Sequence, residues 1–509
     1  MTPAASPRRA DGRGRLVALV ALVALAVALA GGGLLGTVAA RQPPRTALQP
    51  AALAAEAAPA GSVSSSWYCP GVPGPGVGVG ETDLLVANAG GGAVRVIVVV
   101  VDAGGVRRRR TLELGAHAET GLAPGQIVDG AWLAARLEVA GGAVSAQELV
   151  DGRSGRTVAA CASEVSSRWY FASGSTAEGS GLRVMLFNPT PSLAVVDLSF
   201  FTTSGSGEPA PFQGIVVAPR SLRVLTIGAY VQNQAAIATV VAARSGAVVA
   251  DELQLYGPSG AAGVALALGT PAASTRWDLP SVEDPTGGTS ELVIFNPASR
   301  SEHVAVEVRL PSGPVEPFTQ VVGARSVWTL ATSQQLRIAV QEPYTVQVRA
   351  SEPGVVVARL GAGTRHGPAP WWTEDVTTTA LQADASHAWV VAGLPAKPPA
   401  TKASPATKAS PATKASPATA PVSAASPGST PSRLTFENPS RRPLRVEVSS
   451  WAGVRRRVQV VPVPALGTAT IAVPSGPVVV HADGAAAVVG DASPVGTVGI
   501  VGIPAVPLG

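Results

Sequence analysis

The sequence predicts an all-β protein: tandem immunoglobulin-like β-sandwich modules behind an N-terminal transmembrane helix. Three observations predict it. A short apolar strand ending in Asn is written four times, as Asp83-Leu-Leu-Val-Ala-Asn88, Arg183-Val-Met-Leu-Phe-Asn188, Glu291-Leu-Val-Ile-Phe-Asn296 and Arg433-Leu-Thr-Phe-Glu-Asn438. Each leads through a turn into a strand of alternating character, such as Val304, Val306 and Val308 against Ala305, Glu307 and Arg309. Alternation of this kind presents one apolar face per sheet, and two such faces bury each other. Finally, no charge occurs from Leu16 to Ala40, directly after Arg8, Arg9, Arg13 and Arg15.

In chain order, residues 1–15 form a basic segment that stays in the cytoplasm, because upstream arginines hold the N-terminus there. Residues 16–40 are long enough to span a bilayer, which takes about 20 apolar residues. Two readings stand for them: a retained signal-anchor, or a signal peptide cut after Val38-Ala39-Ala40. In the first, the protein is a single-pass cell-membrane protein with residues 41–509 outside the cytoplasm; in the second it is secreted. Residues 41–61 are a Pro/Ala-rich tether.

Four modules follow, at 62–165, 166–272, 273–365 and 387–509, with a connection at 366–386. Each opens on a Trp strand: Trp67-Tyr68, Trp169-Tyr170, Trp277-Asp278 and Trp389-Val390. Six or seven short strands with turn signals, in roughly 100 residues, are what an immunoglobulin-like sandwich needs. The turn asparagines Asn88, Asn188 and Asn296 are 100 and 108 residues apart, whereas Asn438 lies 142 beyond Asn296. The excess of 34 matches a Lys/Pro/Ala-rich tract at 397–431 that repeats Thr-Lys-Ala-Ser-Pro-Ala three times and holds all four lysines of the chain. It reads as an insertion inside module four, and alternatively as a linker after module three. Its prolines favour an extended chain with no core to pack.

Candidate chemistry is sparse. Cys69 and Cys161 lie at the two ends of module one, and in an oxidising compartment they form a disulfide. His117, His303, His366, His387 and His481 fall on separate modules or connections without metal-ligand spacing, so no metal or cofactor is expected. Neither a nucleophile elbow nor a phosphate-binding loop is present, and the adjacent acids Asp251-Glu252 point to opposite faces of a strand. The reading is therefore not an enzyme. Arg107, Arg108, Arg109 and Arg110 follow one hairpin and Arg455, Arg456 and Arg457 follow its counterpart in module four. They are candidate anion-binding residues, or else a solvated strand edge. Nucleic acid is not an expected partner, since aromatic interleaving is missing. The asparagines Asn88, Asn188, Asn296 and Asn438 read as structural turn residues, three of them followed by Pro.

With Trp67-Tyr68-Cys69-Pro70, the repeated Asn turn and the N-terminal apolar segment, the chain resembles the actinobacterial "large secreted protein" family of unknown function. The resemblance covers residues 60–509 and implies a membrane-anchored or exported envelope protein, without catalytic residues to carry over. The expected role is a non-enzymatic structural or interaction protein of the cell envelope. The alternative is a binding module for anionic envelope glycan or lipid head groups through the arginine hairpins. An envelope protein or anionic glycan is the expected partner, besides the membrane at 16–40.

Overall fold

The computed structural model describes residues 54–362, 388–391 and 432–507, apart from short breaks within these ranges. Strands dominate, and the helical elements among the described residues are 3-10 turns. The segments 1–15 and 16–40 and the tract 397–431 lie outside the described residues. Among those described, no helix is long and apolar enough to cross a membrane.

Every repeat builds two antiparallel sheets, named here for the residue that marks each. The Trp sheet carries the opening tryptophan strand: Ser65–Pro73, Arg168–Phe171, Arg276–Val282 and Ala388–Val391. The Asn sheet carries the strand ending at the turn asparagine: Gly80–Asn88, Gly181–Asn188, Thr289–Asn296 and, ending one residue before Asn438, Ser432–Glu437. Eight sheets result. Within a repeat the two sheets share a core, such as Trp67, Val96, Val98 and Leu137 on one side and Leu84 and Val86 on the other. The Ala388–Val391 strand pairs with Val478–Ala482 of repeat four, so residues 397–431 fall between two strands of that repeat.

Both faces of the Asn sheets are buried, and this overturns the expected arrangement. In repeat two, Val184 and Leu186 join the core of their own repeat, while Met185, Phe187, Leu253 and Leu255 join that of repeat one. Phe295 of repeat three packs on Phe201 of repeat two, ring centroids 5.1 Å apart. The Asn sheet of repeat four meets the Trp sheet of repeat three through the strand Arg276–Val282. The circuit closes where Leu85, Leu149 and Val158 of repeat one enter the core of repeat four. Each Asn sheet is thus held between the Trp sheet of its own repeat and that of the preceding one, with repeat four preceding repeat one.

The sheets therefore stand as blades of a β-propeller, rather than as tandem immunoglobulin-like sandwiches; the expected transmembrane helix at 16–40 lies outside the described residues. The physical reason is visible strand by strand. A lone sandwich leaves the outer face of each sheet to solvent and would show polar residues there. Here Val249–Leu255 and Gly263–Leu268 are buried at every position. The innermost strands meet near the centre: Gly155–Ala160 lies against Gly263–Leu268 and against Val501–Pro504. A hydrogen bond from the Leu266 amide to Thr157 Oγ1, 3.0 Å, ties the first pair.

Two kinds of side chain fix the repeats internally, the tryptophan in repeats two and three and the asparagine in all four. Trp169 and Trp277 donate their indole N–H to the carbonyls of Val248 and Val355, both at 2.8 Å, which pins the Trp sheet to the start of an Asn-sheet strand. The turn asparagines are all fully buried. Asn296 donates to the carbonyls of Arg300 and Gly323, both at 2.8 Å, and to Val322 at 3.1 Å, while its Oδ1 accepts from the Ala298 amide at 2.9 Å. Asn88, Asn188 and Asn438 repeat the pattern, each donating four residues ahead and to a carbonyl 25–29 residues ahead. The amide thus closes its own turn and clips the Asn sheet to the far end of the other sheet.

Removing that amide leaves buried carbonyls without a donor, at about 1–3 kcal/mol for each unsatisfied group. Asn296→Ala is expected to lower unfolding free energy by about 2–4 kcal/mol in urea titration. Asn296→Asp, which keeps the shape and loses the donors, should cost as much.

Candidate functional site: arginine edges and buried carboxyl groups

The two arginine runs occupy equivalent strands. Arg107–Leu114 pairs with Val94–Asp102 and forms the outer edge of Trp sheet one, setting Arg108 opposite Val100 and Arg110 opposite Val98. Arg455–Val463 pairs with Leu444–Ala452 and forms the outer edge of Trp sheet four. All seven arginines are exposed. Arg456 is held by Glu447 and Ser449, with contacts of 2.8 Å to each. In repeats two and three the corresponding edge strand is split, into Gly205–Gly207 and Ile215–Val217 and into Gly313–Pro314 and Phe318–Val322, and neither carries an arginine run. An edge strand accepts arginine readily, because its side chains reach water on both faces and discourage pairing with another chain.

Ring closure brings the two edges into one sector, which the linear sequence does not show. Trp sheets one and four both pack on Asn sheet one, from opposite faces. His117, seven residues past Arg110, stacks on Trp451 at 3.9 Å between centroids and 11° between planes. Trp451 is the cross-strand partner of Arg456.

Cys69 and Cys161 are disulfide-bonded and fully buried. The bond joins the innermost strand of Trp sheet one to the chain leaving the innermost strand of Asn sheet one. Beside it, Tyr68 and Ala162 exchange backbone hydrogen bonds of 2.8 Å.

Sequence reasoning missed a set of buried acids. Glu148 on Asn sheet one and Asp251 on Asn sheet two converge from the two sides of the Ser65–Pro73 strand. Both are fully buried. Burial raises the Glu148 carboxyl to about 7, partly opposed by the nearby Asp251 carboxyl and Gly71 amide. Asp251 is raised by burial first and by the neighbouring Glu148 charge second. Two carboxyl groups so placed share a proton, since the interior does not tolerate both charges. Asp251 and Glu252 point to opposite faces, as adjacent strand residues must.

A second set lies between repeats three and four. Glu437 occupies the position of Phe187 and Phe295, and Asp278 that of Tyr68 and Tyr170. Asp278 accepts from Arg276 Nε at 2.8 Å and from the Gln347 side-chain amide. Burial, followed by the Asp278 charge, raises Glu437 to about 8, with Arg276 and Arg309 opposing. The signal in the sequence was the replacement of Trp-Tyr by Trp-Asp and of Phe-Asn by Glu-Asn in consecutive repeats. Among the described residues, no three His, Cys, Asp or Glu side chains group as metal ligands.

The sequence matches a family of unknown function, DUF5719, across residues 126–430. This chain belongs to that family. The DUF5719 match runs from the latter part of repeat one to the end of the Lys/Pro/Ala tract, and so covers repeats two and three whole. No curated protein matches the chain. A crystal structure of a tetra-tandem repeat in the extending region of a large adhesion protein is similar at 13% identity, covering 82% of this chain and 92% of that one. Its TM-score is 0.10, so the two do not superpose as one fold.

The raised carboxyls set a direction for pH dependence. A carboxyl whose folded pKa exceeds its unfolded value binds its proton in the folded state, so its contribution is present at acid pH and is lost as pH rises through the folded value. Stability should therefore fall between about pH 5 and pH 8, with Glu148 leaving near 7 and Glu437 near 8. Urea midpoints across this range test it, and Glu437→Gln should flatten the alkaline end of the curve.

Proposed function

We propose that this DUF5719 protein is a non-enzymatic structural or interaction protein of the cell envelope, exported by its N-terminal apolar segment. The observation that carries the reading is the closed ring of sheets. Its side chains are spent on holding blades together: the asparagine clips, the tryptophan pins, the disulfide and the apolar inter-repeat faces. The polar groups drawn to the interior, Glu148, Asp251, Asp278 and Glu437, are buried between sheets and not open to a substrate. What faces outward is the perimeter, where sheet edges differ from repeat to repeat. A rigid body with a varied rim suits display and docking, because ordering costs are met in folding rather than on binding. The disulfide is in keeping with an oxidising compartment, as the apolar segment and the resemblance to large secreted proteins also suggest.

Cosedimentation of the intact chain with purified envelope fragments tests this. Saturable retention, with no soluble fragments released from the envelope on long incubation, is the expected outcome. Release of fragments in proportion to time and protein would overturn the non-enzymatic reading. Failure to be retained at any ionic strength would overturn the interaction reading.

A further inference from the structure

We propose that the two arginine edges act together as one bipartite site for a linear anionic polymer, bearing phosphate or carboxylate groups as envelope glycans do. This deepens the interaction role proposed above and rests on it.

The inference begins with ring closure. Arg107–Arg110 and Arg455–Arg457 lie in the first and the last of the four repeats. Yet they lie on the outer edges of the two sheets that grip Asn sheet one. Arg110 precedes His117 by seven residues, an extended reach of roughly 25 Å at most. His117 is stacked on Trp451 at 3.9 Å, and Trp451 lies one strand spacing, about 5 Å, from Arg456. The nearest arginines of the two strips are therefore within roughly 35 Å of each other.

The rest of the rim gives the pair its meaning. Where repeats one and four place arginines, repeats two and three place Gly205–Gly207 and Gly313–Pro314, followed shortly by Glu208 and Glu316. Among the described residues, runs of three or more consecutive arginines occur only in the sector where the first and last repeats join. Within each strip the side chains alternate, with Arg107 and Arg109 on one face and Arg108 and Arg110 on the other. A flat membrane surface meets only one face of such an edge. A flexible chain running along it meets both, through the forked guanidinium geometry that suits phosphate and carboxylate. Lipid surfaces are the lesser fit for this reason. Spanning both strips makes the second contact intramolecular, so affinity rises without any new kind of contact.

The test uses the intact chain and linear polyphosphate and oligogalacturonate, each in lengths below and above the gap, read by fluorescence anisotropy. Long chains of either polymer should bind roughly 100-fold tighter than short ones, with affinity falling steeply as salt rises. Changing Arg107–Arg110 to Ser, or Arg455 and Arg457 to Ser with Arg456 left on Glu447, should each abolish that length advantage. Either change should leave the short-chain dissociation constant alone and remove one binding equivalent. These arginines are exposed, and unchanged urea midpoints would show that the variants fold. Equal affinity for long and short chains would overturn the bipartite site. So would binding to phosphatidylglycerol vesicles in preference to both polymers, or no binding to either polymer. Envelope retention that survives any of these results would leave the interaction role standing while this inference fails.

Discussion

Much of the structure depends on one buried side-chain amide repeated four times. Asn88, Asn188, Asn296 and Asn438 each end an apolar strand in a place where main-chain carbonyls arrive with no partner of their own. An asparagine there supplies two donors and an acceptor in a small volume. Neither Asp nor Ser supplies that set. The carbonyls that it satisfies lie in its own turn and at the end of the Trp sheet's edge strand, so the amide fixes the sheets' relative position. With that position set, the tryptophan pins and the inter-repeat faces fall into register, and the circuit can close.

The asparagine turns, the tryptophan strands and the four-fold repeat were legible because each is written in consecutive residues. So was the strand content, since alternation at Val304, Val306 and Val308 has a period that helices do not share. The disulfide could be anticipated from two cysteines at the ends of one repeat. What misled was the assumption that a repeat is finished when its two sheets face each other. The runs Leu-Leu-Val-Ala, Val-Met-Leu-Phe and Leu-Val-Ile-Phe are continuous rather than alternating, and continuous runs belong to strands buried on both faces. Taken at their word, they call for a neighbour on the far side of every Asn sheet. That neighbour is a different repeat, and no local pattern names which one.

The candidate site shows the same division. The arginines were visible, but their meeting in one sector depends on repeat four packing against repeat one, where residues far apart in the chain, such as Leu85 and Val448, join one core. The buried acids were hidden differently. Glu148 and Asp251 each look like an ordinary polar position of a half-exposed strand, and only double-sided burial turns them into a proton-sharing pair. Asp278 and Glu437 gave a fainter clue, because each breaks a motif that two of the other repeats keep.

The contact of Leu85, Leu149 and Val158 with repeat four has a consequence for how such a chain can evolve. In an open array every repeat offers its successor the same surface, and copies can be gained or lost at little cost. Here the last repeat is spoken for by the first. An extra copy would have to widen every wedge in the circuit, and a missing one would leave two apolar sheet faces in water. The copy number is locked by geometry. Diversification is left to the rim, where edge strands lengthen, shorten or change charge one repeat at a time, and to insertions such as the one between Val391 and Ser432.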